Sequence, residues 1–199
     1  MYTKSAWRAL IVEAHAGSPD AQWRVGDAYT DGVWSSTGAV VVRRNPKLGV
    51  RWLRRAALAG DTGAMNTIGC CYSSGNGVPR SQRNALLWFR KAWDAERMDI
   101  AASNIAKVYR DQGKHRLSFA WYQRAVDAGD GDDLVELATR YLSGLGVRKN
   151  PVRAVGHLRR AARSNQITES GRDEANYVLG TCYMAGDGVP RSRGLAATS

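Results

Sequence analysis

The 199-residue sequence predicts an all-α fold, a right-handed α/α solenoid of about four to five helical hairpins. Three observations carry this: a tyrosine signature present five times, a tryptophan-led signature that follows it, and glycine-rich breaks between them. Self-similarity of this kind marks a repeat architecture, in which each unit buries its apolar face by stacking on its neighbours.

The first signature places a small residue three positions, and an aliphatic one four positions, before a tyrosine: Val25-Gly26-x-x-Tyr29, Ile68-Gly69-x-x-Tyr72, Ile105-Ala106-x-x-Tyr109, Leu137-Ala138-x-x-Tyr141 and Leu179-Gly180-x-x-Tyr183. Eight positions before the tyrosine stand Ala21, Ala64, Ala101 and Ala175, with Asp133 the exception. This spacing gathers small and aliphatic groups on one helical face, which defines a helix A. The second signature, helix B, reads Trp52-Leu53-Arg54-Arg55-Ala56, Trp88-Phe89-Arg90-Lys91-Ala92, Trp121-Tyr122-Gln123-Arg124-Ala125 and His157-Leu158-Arg159-Arg160-Ala161.

From B to the next A tyrosine the gap is 20, 21, 20 and 26 residues, the last carrying an insertion around 166–171. From A to B it is 23, 16, 12 and 16, so length varies mainly in the loop after helix A. That loop holds Gly75-Asn76-Gly77-Val78-Pro79, Gly144-Leu145-Gly146-Val147 and Gly186-Asp187-Gly188-Val189-Pro190, stop signals in which glycine takes positive φ and proline cannot continue a helix. The first repeat inserts residues 34–40 there, a candidate functional excursion. The organisation expected is one domain over 1–199: a half-repeat at about 3–16, repeats at about 17–59, 60–96, 97–128 and 129–164, a terminal A helix and loop at about 172–190, and a tail at 191–199. A terminal repeat without its B helix leaves an apolar end, a candidate homodimer contact.

Composition agrees with an ordered globular chain, at 44% hydrophobic and 24% charged residues. The net charge of +11 points to an acidic protein surface, nucleic acid or an anionic membrane as contacts. Arginine outnumbers lysine 23 to 6, a bias that a GC-rich genome also produces without selection for binding. Cys70, Cys71 and Cys182 form no C-x-x-C pair, which argues against a disulfide framework or zinc ribbon and for a reducing, cytoplasmic compartment. The apolar stretch at 9–12 is too short for a signal-peptide core, and no apolar run suits membrane insertion.

The order Leu-Gly-x-x-Tyr, Gly-x-Gly-Val, Trp-x-x-x-Ala-Ala and Gly-Asp resembles the Sel1-like repeats, relatives of tetratricopeptide repeats with a longer loop, from about Trp7 to Val189. The third repeat, with Gly113-Lys114-His115 in place of the glycine loop, looks more like a plain tetratricopeptide hairpin. Some extracellular Sel1-like proteins carry two cysteines per repeat and bind antibiotics; this chain lacks that pattern.

Neither a catalytic nor a metal site is expected, and no cofactor. His15, His115 and His157 fall in different repeats without metal-ligand spacing, and Cys71 and Cys182 share one repeat slot, directly before the tyrosine, where the other copies have Ala28, Val108 and Arg140. The glycine segments follow helices, unlike a phosphate loop.

The resemblance to tetratricopeptide arrays implies that A helices line a concave surface whose ligand-facing positions lie six and two residues before the A tyrosine and one after. These are Trp23, Asp27 and Thr30; Asn66, Cys70 and Ser73; Ser103, Lys107 and Arg110; Val135, Thr139 and Leu142; Tyr177, Thr181 and Met184. Aromatics amid small polar groups suit a protein or peptide partner. The cations Arg54, Arg55, Arg90, Lys91, Arg124, Arg159 and Arg160 are expected to form a basic ridge on the convex side, where the family commonly has a lysine. Aromatics that could stack bases are not interleaved with that ridge, so nucleic acid is the weaker partner.

The function expected is a non-catalytic module that binds another protein with an acidic surface; the resemblance to the Sel1-like family implies that it does so as an adaptor or as an immunity protein neutralising a toxin. A signalling or envelope scaffold, or a nucleic-acid binder using the ridge, are the alternatives.

Overall fold

The structure, a computed structural model, describes residues 3–189. In chain order its elements are α1 (Lys4–His15), α2 (Pro19–Asp31), β1 (Val33–Trp34), β2 (Val40–Val42), α3 (Pro46–Leu58), α4 (Thr62–Ser74), α5 (Gln82–Glu96), α6 (Asp99–Asp111), α7 (His115–Ala128), α8 (Asp133–Ser143), α9 (Pro151–Arg163) and α10 (Glu169–Ala185). The five tyrosine signatures lie on α2, α4, α6, α8 and α10, and the four tryptophan-led ones on α3, α5, α7 and α9. Pro190 and the expected tail 191–199 lie outside the described residues.

Most helices start where side-chain caps dictate. Ser18, Asn45, Asp61, Ser81, Asn150 and Thr168 each accept a hydrogen bond from the backbone N–H three residues on. The Thr168 cap starts α10 at Glu169, inside the insertion at 166–171. The insertion after α2 is not an irregular loop. β1 and β2 pair antiparallel with Val33 opposite Val42, and the turn closes through the Ser35 N–H donating to the Ala39 carbonyl at 2.8 Å. Its Val-Trp and Val-Val-Val runs favour a pleated conformation, and Gly38 supplies the positive φ the turn needs.

Each A–B hairpin is locked by one recurring bond. The backbone N–H of the residue before helix B donates to the A-tyrosine carbonyl: Asn45 to Tyr29 at 2.7 Å, Ser81 to Tyr72 at 2.8 Å, Lys114 to Tyr109 at 2.9 Å and Asn150 to Tyr141 at 2.8 Å. Loop length can vary because the excess chain bulges outside this closure. The small residue three before the tyrosine lets A and B touch: a Cβ on Gly26 would lie 2.7 Å from the Leu53 Cγ, and one on Gly49 would meet the Gly26 carbonyl at 2.7 Å. In the Gly-x-Gly loops, the first glycine ends the A helix in the left-handed region and the second packs onto the start of the preceding B helix, Gly77 on Pro46, Gly146 on His115 and Gly188 on Pro151.

Contacts gather into two compact units that part between Arg97 and Met98. The core of the first joins Leu10, Val25 and Trp52 of one cluster with Leu53, Ile68 and Cys71 of another. The second unit is built on Tyr122, Leu134, Leu137, Leu158 and Leu179.

Candidate functional site

The A-helix positions expected to face a partner divide by row. Two before the tyrosine, Asp27, Cys70, Lys107 and Thr139 are exposed and Thr181 is half-buried. Six before, Tyr177 is exposed, Trp23 and Asn66 are half-buried, and Ser103 and Val135 are buried. One after, Arg110 and Met184 are exposed, Ser73 and Leu142 are half-buried, and Thr30 is buried. Thr30, Ser103 and Val135 are therefore corrections: at 3%, 2% and 3% exposure they cannot meet a partner. Thr30 bonds its own helix, Oγ1 to the Asp27 carbonyl at 2.7 Å, and its Cγ2 packs where α3 carries Gly49. Ser103 belongs to a buried polar network.

In the first unit, Trp23 and Asp27 line a cleft of about 430 Å³ that Asp31 and the Val33 end of the hairpin complete. The Trp23 Nε1 donates to Thr67 Oγ1 at 3.2 Å, so the indole both ties α2 to α4 and walls the cleft. Burial, with Asp31 adding like charge, pushes the Asp27 carboxyl above its usual range.

In the second unit, Ser103 on α6 meets two carboxylates. Its Oγ lies 2.9 Å from Asp130 Oδ2 and 2.5 Å from Asp133 Oδ2, and one hydroxyl proton cannot serve both. The Ser103 hydroxyl therefore donates to Asp133 or to Asp130, and whichever carboxylate it leaves lacks that donor. Burial pushes the Asp133 carboxyl up to about 7, against the Ser103 hydrogen bond, which lowers it. On the same side, Arg110 Nη1 approaches the Tyr122 hydroxyl at 3.5 Å. Arg140, 2% exposed, pairs with Glu136 at 2.9 Å and stacks 4.8 Å over the Tyr122 ring, while its Nε and Nη1 have no hydrogen-bond partner. Burial, then Glu136, pushes Tyr122 up to about 12. Two irregularities in the repeat mark this network in the sequence: Asp133 in the alanine slot and Arg140 in the small-residue slot.

The ridge cations are exposed, and most have a partner within the chain. The Arg54 and Arg159 guanidiniums donate to the hydroxyls of the next A tyrosines, Tyr72 at 3.0 Å and Tyr183 at 2.9 Å. Arg55, Lys91 and Arg124 lie 4.7, 4.5 and 4.4 Å over Trp52, Trp88 and Trp121. Aromatic rings are thus interleaved with the ridge, a correction to the sequence expectation, but their faces are taken by the chain's own cations; each such stack is worth roughly 0.5–1 kcal/mol at an exposed site.

His157 fills a tryptophan slot, stacked on Tyr141 with centroids 5.6 Å apart, and burial, then Arg160 and Arg153, holds its pKa below the usual value. Burial pushes the Cys71 thiol up to about 11 and the Cys182 thiol upward, whereas Cys70 is exposed. Iodoacetamide at pH 7 is therefore expected to label Cys70 first, with Cys71 and Cys182 reacting after denaturation. Mass spectrometry of labelled peptides reads this, and prompt labelling of Cys71 would contradict its placement.

Among the described residues no group of three or more histidine, cysteine or acidic side chains could hold a metal ion, and no helix is long and apolar enough to cross a membrane. Repeating buried slots with differing outward positions define an α-helical repeat module. The Sel1 repeat family profile matches residues 19–61, 63–95, 108–130, 134–166 and 173–197. The chain belongs to the Sel1 repeat family, whose repeats serve as protein-binding modules. It is similar to a solved Sel1 repeat protein from Oxalobacter formigenes at 26% identity and a TM-score of 0.78, over 98% of this chain and 76% of that one. It also resembles c5321, a protective antigen present in uropathogenic Escherichia coli strains displaying an SLR fold, at 22% identity and a TM-score of 0.52. That likeness is one of fold, over 96% of this chain and 47% of the other, so the chain spans about half that protein's length.

Proposed function

We propose that the chain is a non-catalytic cytoplasmic module that binds a partner protein through outward positions of its A helices, and that this partner is a toxin it neutralises. The observation that carries the binding reading is the row two before the tyrosine. Asp27 and Cys70 in the first unit, and Lys107 and Thr139 in the second, are exposed on helices whose inward slots repeat, yet they differ in charge and size, as recognition positions on repeat helices do. The net charge of +11 supports the toxin reading, because it would steer association with an acidic enzyme. A homodimer through α10, where Tyr177 and Met184 are exposed, accompanies this reading and is tested by sedimentation.

The decisive experiment is co-expression with the protein encoded by the adjacent gene. Growth rescue from a protein that is lethal alone, with a stoichiometric complex on gel filtration, is the expected outcome. Simultaneous binding of two different proteins without growth rescue would favour a scaffold instead.

A further inference from the structure

The cleft between the start of α3 and the loop after α4 carries chemistry that the A-helix row does not use. Its volume is about 550 Å³, and Lys47, Arg51 and Arg54 line it beside Leu48, Val50 and Val78. The three cations stand four and three residues apart, which puts them on one face of α3. None of them is in an ion pair among the described residues. Arg54 is aimed by its hydrogen bond to the Tyr72 hydroxyl at 3.0 Å. The opposite wall is fixed, since Gly77, with φ +76°, is packed on the Pro46 carbonyl.

The repeat pattern alone does not require this charge. At the equivalent three positions α5 has Arg83, Leu87 and Arg90, α7 has Arg116, Ala120 and Gln123, and α9 has Val152, Gly156 and Arg159. The first B helix therefore concentrates cations where its counterparts do not.

We infer that this cleft is a docking site for an acidic segment of a partner polypeptide, with aspartate or glutamate carboxylates on Lys47, Arg51 and Arg54 and an apolar side chain over Leu48 and Val78. The inference rests on the protein-binding reading and deepens it by naming the chemistry recognised. Guanidiniums form paired hydrogen bonds with carboxylates, and the apolar floor gives a peptide side chain a place that a phosphate backbone would leave empty. No aromatic ring lines the cleft to stack a base, which disfavours a nucleic-acid strand.

The test selects random peptides displayed on phage against the full chain, then measures the selected peptides by fluorescence anisotropy. Acidic peptides with a large apolar residue are expected, weakened at least about tenfold by Lys47→Glu/Arg51→Glu and less than about threefold by the charge-matched Arg83→Glu/Arg116→Glu. Lys47→Gln/Arg51→Gln serves if the reversed pair melts early. Equal loss in both charge-reversed variants, or tighter binding of a single-stranded oligonucleotide, overturns the inference. Selected peptides that are not acidic and are released by Lys107→Glu would overturn the inference for this cleft while leaving the binding reading standing. Selection of nothing above background would remove both.

Discussion

Gly69→Val is expected to lower the stability of the first unit by about 3 kcal/mol, because a Cβ at this position would collide with the ring of Phe89. Phe89 is buried at 2% exposure in the facing B helix, so the ring can yield only by disturbing the core around it. Relief of glycine's helix penalty recovers less than about 1 kcal/mol, so packing decides the sign. Gly156 on α9 is the control. It is exposed, with no heavy atom within 4 Å of an added Cβ, and Gly156→Ala is expected to stabilise by about 0.5–1 kcal/mol. Urea denaturation reads both, and a tolerated valine at Gly69 would refute close A–B contact as the reason for the glycine.

Asp133→Asn is expected to stabilise the chain at pH 8 and to leave it nearly unchanged at pH 4. A carboxyl pushed up to about 7 by burial holds its proton more tightly in the folded than in the unfolded chain. Its contribution to stability is therefore full below about pH 4 and lost as pH rises through about 7, a change of up to about 4 kcal/mol. Asparagine keeps an acceptor for Ser103 and cannot ionise, so the variant loses this slope. His157, its pKa lowered by burial, contributes the opposite slope, and Asp27, its pKa raised, one of the same sign, so the difference between variant and wild type is the quantity to follow. Parallel pH profiles of thermal unfolding would show that Asp133 is charged at neutral pH.

The helices and their order are legible in the sequence because the buried slots repeat. Ala21, Val25 and Gly26 state the same face that Ala64, Ile68 and Gly69 state again. The Gly-x-Gly loops are legible as helix ends, but the docking of the second glycine on the preceding B helix is not, since it joins segments some 30 residues apart. The hairpin at Val33–Val42 escapes a periodicity argument because its strands are two and three residues long. Thr30, Ser103 and Val135 go astray because a position rule borrowed from tetratricopeptide arrays, relatives with a shorter loop, fixes direction and not depth. Thr30 falls against a second glycine, Gly49, and Ser103 against a carboxylate that occurs in one repeat alone. Asp133 and Arg140 were visible as departures from an alanine slot and a small-residue slot. Their partners, Ser103 and Tyr122, come from other helices, and no spacing in the chain predicts those contacts.

The central claim, that the varied outward row of the A helices is what a partner protein reads, is tested most directly by calorimetric titration of the co-purified partner into the wild type and into Asp27→Lys/Lys107→Glu/Thr139→Arg. All three positions are exposed, so the variant should melt with the wild type. The predicted result is an affinity at least about tenfold weaker at unchanged melting temperature. Unchanged affinity in a variant that melts normally would contradict the claim and move the partner off the A helices.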